Sequence, residues 1–380
     1  MRKVFIVTER RADFSRFKPI LQKLKENPEF EYDLVVTGLH LLDTHGNTIE
    51  EIKESGHEIF ATFDMYKDTV EKDTGASMVR SLGVAIQELP EIIERSNPDI
   101  VLTGFDIAAN FATTVVAAHM NLPVAHIQGG EVSGTIDESI RHAMSKFAHY
   151  HLVSNADSSE RLIRMGEESR NVFVVGCPSI DAINHVEPLS QEELEREFNL
   201  DMSMPYFIVI QHPVTTECER SEKQIQKTLA AIDESGIPAI FVYPNNDAGA
   251  QNIIKSLRES KIQHVATLPL EKYINLLKNS SGLIGNSSSG IHETATLSIP
   301  TINIGSRQSG RLRPDNVIDV GHDKEEIKKA IKKCLNDNQF LHTVRSCLNP
   351  YGSGNSAEEI VAILGNIDIS KDIIQKQITY

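Results

Sequence analysis

A serine-rich segment, GNSSSGIHETATL (285–297), contains residue types suited to binding a phosphate. Its serines, Ser287, Ser288 and Ser289, follow a short apolar run at the predicted start of a helix. Free backbone N–H groups and the positive end of the helix dipole attract anions there, so the segment predicts a diphosphate site that needs no cation. Glu293, on the next turn, would bind ribose hydroxyls or simply face solvent. An ordinary serine cap on a helix is the alternative interpretation.

Candidate phosphate ligands also follow three other apolar runs. Arg307, Arg311 and Arg313 are clustered in an otherwise acidic chain, and the planar donors of arginine suit phosphate; position favours Arg307. His212, in IQHPVTTE, is placed to protonate or hold a leaving phosphate, or else is a structural histidine. Asn245, in FVYPNNDAG, is explained equally well by turn formation.

The segment TERRADFSR (8–16) places Arg11, Asp13 and Ser15 at the head of a predicted helix. Anion binding and helix capping are both open interpretations for this group. The residue types favour capping for Asp13 and Ser15, and they leave Arg11 as the candidate anion ligand.

Three carboxylates are candidates for proton transfer. Asp137 lies in TIDE (135–138), which fits a capping box, and the helix dipole is expected to lower its pKa and keep it ionised. Asp106 follows a strand in TGFDIAAN, and Glu131 follows the glycine pair of HIQGGE. Acids that converge on one cleft can divide proton removal from proton return if their environments separate their pKa values.

Two series of apolar runs must position these residues. Each run is continuous rather than alternating, which is typical of parallel strands buried on both faces. The runs are VFIVT, DLVVTG, IVLTG, VAHIQ, YHLVS and VFVVG, then YFIVIQ, AIFVYP, HVATL, GLIGN, TINIG and NVIDVG. The polar, Pro-punctuated stretch 177–205 between the two series is the predicted hinge region.

The sequence thus predicts an α/β protein of the glycosyltransferase-B type, with two Rossmann-like doubly wound domains and a cleft between them. The predicted N-terminal domain, residues 1–180, carries the sugar side and the catalytic acids. Residues 181–359 form the predicted nucleotide-binding domain, and a C-terminal helix, 360–380, is expected to pack back on the first domain.

Charge and cysteine content restrict the partners. The net charge of −15 makes nucleic acid and membrane surfaces unfavourable partners. The four cysteines are far apart in the sequence, so neither a zinc site nor a disulfide framework is expected. With no signal-like h-region at the start and no apolar run long enough to span a bilayer, we expect a cytoplasmic protein without a metal or cofactor.

Taken together, the motifs resemble those of the hydrolysing UDP-N-acetylglucosamine 2-epimerases and of the epimerase half of the bifunctional animal enzyme that starts sialic acid synthesis. They appear in family order over residues 10–311. The motifs are RADFSR, TGLHLLDTHGNT, HIQGGEVSGTIDESIRHAMSKFAHYH, VGCPSID, QHPVTT, PNNDAG, GNSSSG and GSRQSGR.

The resemblance implies that a base removes the C2 proton as UDP leaves C1, and that water then adds to the 2-acetamidoglucal to give N-acetylmannosamine. It implies UDP-sugar and UDP as ligands. Catalytic roles carry over to Asp106, Asp137, Glu131, position 128 and His212. The implied nucleotide contacts are Arg11, Ser15, His212, Asn245, Ser287, Ser288, Glu293 and Arg307.

Two positions depart from this pattern. Gln128 stands where many members have a glutamate proposed as acid/base, and Ile107 stands where many have an arginine. Glutamine cannot exchange a proton, so Asp106, Asp137 or Glu131 does that work, or activity is reduced.

Four alternatives therefore stay open. They are a 2,4-diacetamido-trideoxy UDP-sugar as the substrate, a GDP-sugar as the substrate, a non-hydrolysing epimerase, and a protein that binds sugar nucleotides with weakened turnover. The long helices of the first domain are a possible subunit contact, so we expect a homodimer or homotetramer.

Overall fold

The computed structural model describes residues 1–43, 46–67 and 74–380. These residues form two parallel β-sheets with helices on both faces, the first of seven strands and the second of six. The first sheet contains β1 (Arg2–Thr8), β2 (Phe30–Thr37), β3 (Ile59–Phe63), β4 (Ile100–Gly104), β5 (Val124–Ile127), β6 (Tyr150–Val153) and β7 (Val172–Val174). The second contains β8 (Phe207–Ile210), β9 (Ala239–Val242), β10 (Gln263–Val265), β11 (Leu283–Gly285), β12 (Thr301–Ile304) and β13 (Val317–Val320).

Helices connect the strands of both sheets. In the first half they are α1 (Arg11–Glu26), α2 (Ile49–Glu54), α3 (Gly75–Ser96), α4 (Ala108–His119), α5 (Ile136–Phe147), α6 (Ala156–Arg164) and α7 (Pro178–Asn184). In the second half they are α8 (Gln191–Phe198), α9 (Ser221–Ser235), α10 (Ala250–Glu259), α11 (Leu270–Lys278), α12 (Ser289–His292), α13 (Lys324–Asn336), α14 (Asn338–Ser346) and α15 (Ser356–Asn366). Within the described ranges, no helix is long and apolar enough to cross a membrane.

The strand orders are β3-β2-β1-β4-β5-β6-β7 and β10-β9-β8-β11-β12-β13. The order therefore reverses between β1 and β4 in the first sheet and between β8 and β11 in the second. In open parallel sheets, ligands bind at the carboxyl ends of the strands next to such a reversal. The predicted fold class, two doubly wound parallel-sheet units, is confirmed.

The strands are apolar on both sides because both faces of each sheet are covered. In β1, Val4 and Ile6 pack into a core that includes residues of α1 and α15. Phe5 and Val7 point the other way, into a core shared with α3 and α4. This two-sided burial is why the sequence shows continuous apolar runs instead of alternation.

The C-terminal segment returns to the first sheet. Helix α15 packs against α1 and α7, and Ile360 and Leu364 are buried in the first core. The predicted helix 360–380 is wrong in extent, because α15 covers 356–366 and a turn follows in which Asp368 accepts a hydrogen bond from the Ser370 N–H at 2.8 Å. The domain boundaries at residues 180 and 359 stay predictions.

Candidate active site

Two adjoining cavities lie between the halves of the molecule, at the strand ends named above. The first, which we call the acid cavity, has a volume of 450 Å³ and is lined by Asp106 and Asp137. The second, the serine cavity, has a volume of 230 Å³ and is lined by Ser287, Ser288, Ser289, Glu293, His212, Arg11 and Ser15. Arg10 and Asn245 line both cavities. The serine turn and His212 therefore meet Asp106 and Asp137 in one cleft.

A glycine fixes the start of the serine turn. Gly285, the last residue of β11, has a φ of +131°, and a Cβ there would lie 2.0 Å from the carbonyl oxygen of Ile210. Only glycine allows this approach. The next residue, Asn286, accepts a hydrogen bond from the His212 N–H at 2.7 Å and donates one to the His212 carbonyl at 2.9 Å. The ends of β8 and β11 are thereby held together.

His212 is held as a neutral hydrogen-bond donor. Its Nδ1 accepts a hydrogen bond from the Asn245 N–H at 3.1 Å, so the ring proton is on Nε2. Burial, together with the positive charges of Arg307 and Arg10, holds the pKa of His212 well below its usual range. The arrangement favours holding a leaving phosphate over protonating it.

The helix after the serine turn is shorter than predicted. Helix α12 contains four residues, and Glu293 is its C-cap instead of lying on a second helical turn. Ser289 donates a hydrogen bond to Glu293 and also contacts the Tyr273 hydroxyl. Burial raises the pKa of Glu293. Arg16 Nη2 lies 3.5 Å from Ser288 Oγ, which brings a cation from α1 to this turn.

Asp106 is presented by an unusual stretch of backbone. Both Phe105 and Asp106 have left-handed φ angles, +68° and +49°. Such conformations cost about 1–3 kcal/mol each in residues other than glycine, and they occur preferentially at functional sites. Arg141 of α5 forms an ion pair with the Asp106 carboxylate and donates to the Glu131 carbonyl at 2.7 Å. Burial alone would raise the pKa of Asp106, but Arg141 and Arg311 outweigh burial and lower it.

Asp137 behaves differently from the sequence-based expectation. The predicted helix start is confirmed, since Thr135 is the N-cap and its Oγ1 accepts from the Asp137 N–H at 3.3 Å. The predicted capping box is wrong, because Glu138 accepts from the Ser133 N–H at 2.6 Å instead of the Thr135 N–H. The predicted lowering of its pKa is wrong. Burial and the neighbouring charge of Asp106 raise the pKa of Asp137, and these effects exceed the opposing effect of Arg307. The two acids of the cavity therefore have pKa values shifted in opposite directions.

Arg307 crosses from the second half to Asp137. Its Nη2 lies 3.7 Å from Asp137 Oδ2, and its Nη1 donates to the Asn286 carbonyl at 3.3 Å. The Arg307 carbonyl accepts from the Gly134 N–H at 3.0 Å. A Cβ at Gly134 would lie 1.9 Å from the Ser306 carbonyl oxygen, so the two loops touch through their backbones.

Gln128 and Glu131 do not line the acid cavity but lie behind it, both buried. Glu131 accepts hydrogen bonds from Ser154 Oγ at 2.5 Å, from Gln128 Nε2 at 3.1 Å and from Arg311 Nη1 at 2.7 Å. His292 Nε2 lies 3.0 Å from the Glu131 carboxylate and 2.6 Å from Arg311 Nη1. This set, Gln128, Glu131, Ser154, His292 and Arg311, is called the Glu131 cluster below.

The Glu131 cluster keeps its carboxylate ionised. Burial alone would raise the pKa of Glu131, but His292 and Arg311 hold it well below the usual range. Burial lowers the pKa of His292 to about 4, so Arg311 supplies the positive charge at neutral pH. A carboxylate with this many partners is poorly suited to exchanging a proton.

Arg11 and Ser15 lie on the wall of the serine cavity with partners of their own. Arg11 forms an ion pair with Glu51 and donates to Thr267 of the second half. Ser15 Oγ donates to the Ala12 carbonyl at 3.0 Å. The capping expectation is confirmed for Asp13, which accepts from the Glu9 and Arg10 N–H groups at 2.9 and 2.8 Å.

Several residues at this site are not among the predicted site residues. Each lines one of the two cavities or contacts a predicted residue, and they are Arg10, Arg16, Arg141, Asn286 and His292. Arg311, a candidate phosphate ligand in the sequence, pairs with Glu131 instead. Apart from Arg311, only two of these residues have a local signal in the sequence. Arg141 follows Asp137 by four residues, which places both on one helix face. Asn286 immediately precedes the serine run.

Known proteins resemble this chain over most of its length. The family model described as UDP-N-acetylglucosamine 2-epimerase matches residues 22–365. A hydrolysing UDP-N,N'-diacetylbacillosamine 2-epimerase of Legionella pneumophila is 33% identical, covering 99% of both chains. A UDP-N-acetylglucosamine 2-epimerase of Neisseria meningitidis is 31% identical, covering 96% of both.

The fold has solved counterparts. A crystal structure of UDP-GlcNAc 2-epimerase from Neisseria meningitidis bound to UDP-GlcNAc superposes with a TM-score of 0.82 at 17% identity, covering 96% of this chain and 100% of that one. At this identity the superposition establishes the glycosyltransferase-B-like architecture. Together with the family match over most of the sequence, it shows that the chain belongs to the UDP-N-acetylglucosamine 2-epimerase family.

Proposed function

We propose that the protein is a hydrolysing 2-epimerase that converts UDP-N-acetylglucosamine and water to N-acetylmannosamine and UDP. The observation that supports this most directly is the meeting of two sets of residues in one cleft. Asp106 and Asp137, with oppositely shifted pKa values, line one cavity, and the serine turn and His212 line the next. A sugar nucleotide with its diphosphate at the serine turn would place the sugar beside the two acids.

The serine cavity suits the departing diphosphate. Negative charge accumulates on the phosphate oxygens as the C1–O bond breaks, so donors fixed in advance stabilise the transition state. The neutral imidazole of His212 contributes an Nε2–H donor. Arg307 contributes a guanidinium, and Ser287 and Ser288 contribute hydroxyls. These donors replace the divalent cation that many phosphate sites use.

The acid cavity suits proton removal and return. Asp106, kept ionised by Arg141, is the base that takes the C2 proton, while the C1–O electron pair leaves with UDP and a C1–C2 double bond forms. Water then adds its hydroxyl to C1, and Asp137 delivers a proton to C2 on the opposite face. The remaining proton of the water restores Asp137, and the proton on Asp106 returns to solvent. Such an order of proton transfers requires two acids with different pKa values.

Turnover in heavy water tests the reaction. Incubation with UDP-N-acetylglucosamine, followed by NMR, is expected to give free N-acetylmannosamine carrying deuterium at C2, with one UDP released per sugar. Deuterated UDP-N-acetylmannosamine without free UDP would instead identify a non-hydrolysing epimerase. UDP that binds to an otherwise unreactive protein would indicate a sugar-nucleotide-binding protein.

A second candidate substrate is a 2,4-diacetamido-trideoxy UDP-sugar. The acid cavity has a largely apolar wall contributed by α3, α4 and α5, which suits a C6 methyl and an added acetyl group better than hydroxyls. The wall residues are Met78, Val79, Leu82, Ile107, Phe111, Ile136 and Ile140. The Legionella relative is named for such a substrate. Supplying both sugar nucleotides in competition, and measuring which is consumed first, decides between them.

A further inference from the structure

Gln128 occupies a position where every polar atom of its side chain has a partner. Its Nε2 lies 3.1 Å from Glu131 Oε1 and 3.4 Å from Cys177 Sγ, and its Oε1 accepts from Arg16 Nη1 at 3.3 Å. A side chain whose polar atoms all have partners does not have the features of a catalytic group that has merely been lost.

We propose that Gln128 is a positioning residue. Because it is an uncharged N–H donor, Glu131 remains the single buried anion of the Glu131 cluster. That anion, through its contact with Arg311, fixes the position of the second half of the cleft relative to the first. The inference concerns how the cleft is assembled and does not depend on which sugar is bound.

The side chains of Gln128 and Glu131 are adjacent, and the contact between them needs one donor and one acceptor. A glutamate at position 128 would put a carboxylate oxygen 3.1 Å from Glu131 Oε1, where the glutamine N–H now lies. Two carboxylates at that distance cannot both be ionised without a large cost, so they share a proton. The protonated form could donate to Glu131 as glutamine does, whereas the doubly ionised form could not.

Glu131 also connects the halves directly. Its carboxylate oxygens contact Ser154 and Gln128 of the first half, and Arg311 and His292 of the second half. Arg311 is four residues after Arg307, whose guanidinium lies beside Asp137. Displacement of Arg311 from Glu131 would therefore shift the loop that brings Arg307 to Asp137.

The pH dependence of a Gln128→Glu variant tests the proposal. The charged or titratable groups facing this pair are Arg16 of α1, Arg141 of α5, Asp157 and Arg161 of α6, Cys177 before α7, His292 of α12, Arg311 and Tyr351. Arg16, beside Gln128 Oε1, would lower the pH at which the shared proton is lost and so bring the transition into an accessible range.

We expect kcat/KM of Gln128→Glu, divided by that of the wild type, to fall at least about tenfold between about pH 5.5 and about pH 8.5, as expected for loss of one proton. The difference in Tm between variant and wild type should follow the same pH dependence. Because Tm is measured without substrate, this part of the result is independent of the proposed reaction. Gln128→Met, which lacks both donor and charge, should show a reduced ratio that does not change with pH.

Two results would overturn the proposal. One is a Gln128→Glu variant that is as active as the wild type, or more active, at the alkaline end, since glutamate would then be restoring an acid/base group. The other comes from a double variant.

If Gln128→Glu does not fold, the double variant Gln128→Glu/Glu131→Gln provides the test, because it again leaves one carboxylate in the cluster. Recovery of folding and partial activity in the double variant supports the proposal, and a double variant no better than Gln128→Glu alone contradicts it.

Discussion

The Nη2 of Arg307 lies 3.7 Å from the Oδ2 of Asp137, although Arg307 follows a strand of the second sheet and Asp137 follows a strand of the first. The same arginine donates to the carbonyl of Asn286, next to the serine turn. One side chain thus contacts both the proposed proton donor and the backbone of the proposed diphosphate site. In the proposed reaction, Arg307 is therefore placed to act on both the departure of UDP and the return of the proton.

Replacing Asp137 by asparagine should separate catalysis from binding. The amide keeps the shape of the side chain but cannot transfer a proton, so we expect kcat to fall by about 10²–10⁴-fold. The affinity for UDP, measured by calorimetry, should change little, because the serine cavity is untouched. Asp157 has the matching place in the first turn of α6, and Asp157→Asn should leave turnover unchanged. Unaltered turnover in Asp137→Asn would remove this residue from the mechanism.

Arg307→Met should shift the alkaline limb of the pH–rate profile to higher pH. Proton return requires protonated Asp137, so the rate falls as the pH rises through the pKa of this group. Arg307 lowers that pKa, against burial and Asp106 which raise it. Loss of the arginine raises the pKa further and extends the protonated range to higher pH. A limb that moves to lower pH in the variant would be inconsistent with Asp137 as the donor.

His212 should act in UDP binding through a hydrogen bond and not through a titrating charge. His212→Phe removes the Nε2–H donor, and a hydrogen bond to a charged phosphate contributes about 1.5–3 kcal/mol, so UDP should bind about 10–100-fold more weakly. The terminal phosphate of UDP ionises at about pH 6, so the affinity depends on pH for that reason alone. Because the pKa of His212 is far below its usual range, this pH dependence should be the same in the wild type and in His212→Phe. A step that disappears in His212→Phe would show that the histidine is charged.

Gly285→Ala should destabilise the protein by about 2–5 kcal/mol, from overlap with the Ile210 carbonyl and from a φ that alanine avoids. Gly83→Ala in α3 is the matched control. A Cβ there meets nothing within 4 Å, and alanine inside a helix should stabilise by about 0.5–1 kcal/mol. Denaturant unfolding of both variants measures the difference. Similar stabilities would mean that the serine turn tolerates a side chain.

The sequence was sufficient to predict twelve of the strands because continuous apolar runs are visible without knowledge of their neighbours. Strand β3, IFATF, was missed because it is an edge strand whose residues are mostly half-exposed or exposed. The same limit applies to the site. Glu131 pairs with His292 and Arg311, which are 161 and 180 residues away. No local pattern indicates such partners.

The direction of the Asp137 shift shows why a local argument was insufficient. The helix start was predictable from TIDE, and an exposed aspartate there would be stabilised as the anion. In the folded protein, burial and the facing Asp106 raise the pKa of Asp137 by more than Arg307 and the hydrogen bond with Thr135 lower it. The chemistry of this residue is set by a neighbour that follows a different strand.

The backbone contact between Gly134 and the loop carrying Arg307 has a consequence for turnover. Because this contact leaves no room for a side chain, the main chain that carries Arg307 lies directly against the loop before Asp137. A motion that parts the two halves of the cleft would separate these loops and withdraw the cation from Asp137 at the same time. In the proposed reaction, an opened cleft would therefore lack the contact between Arg307 and Asp137 until the loops meet again.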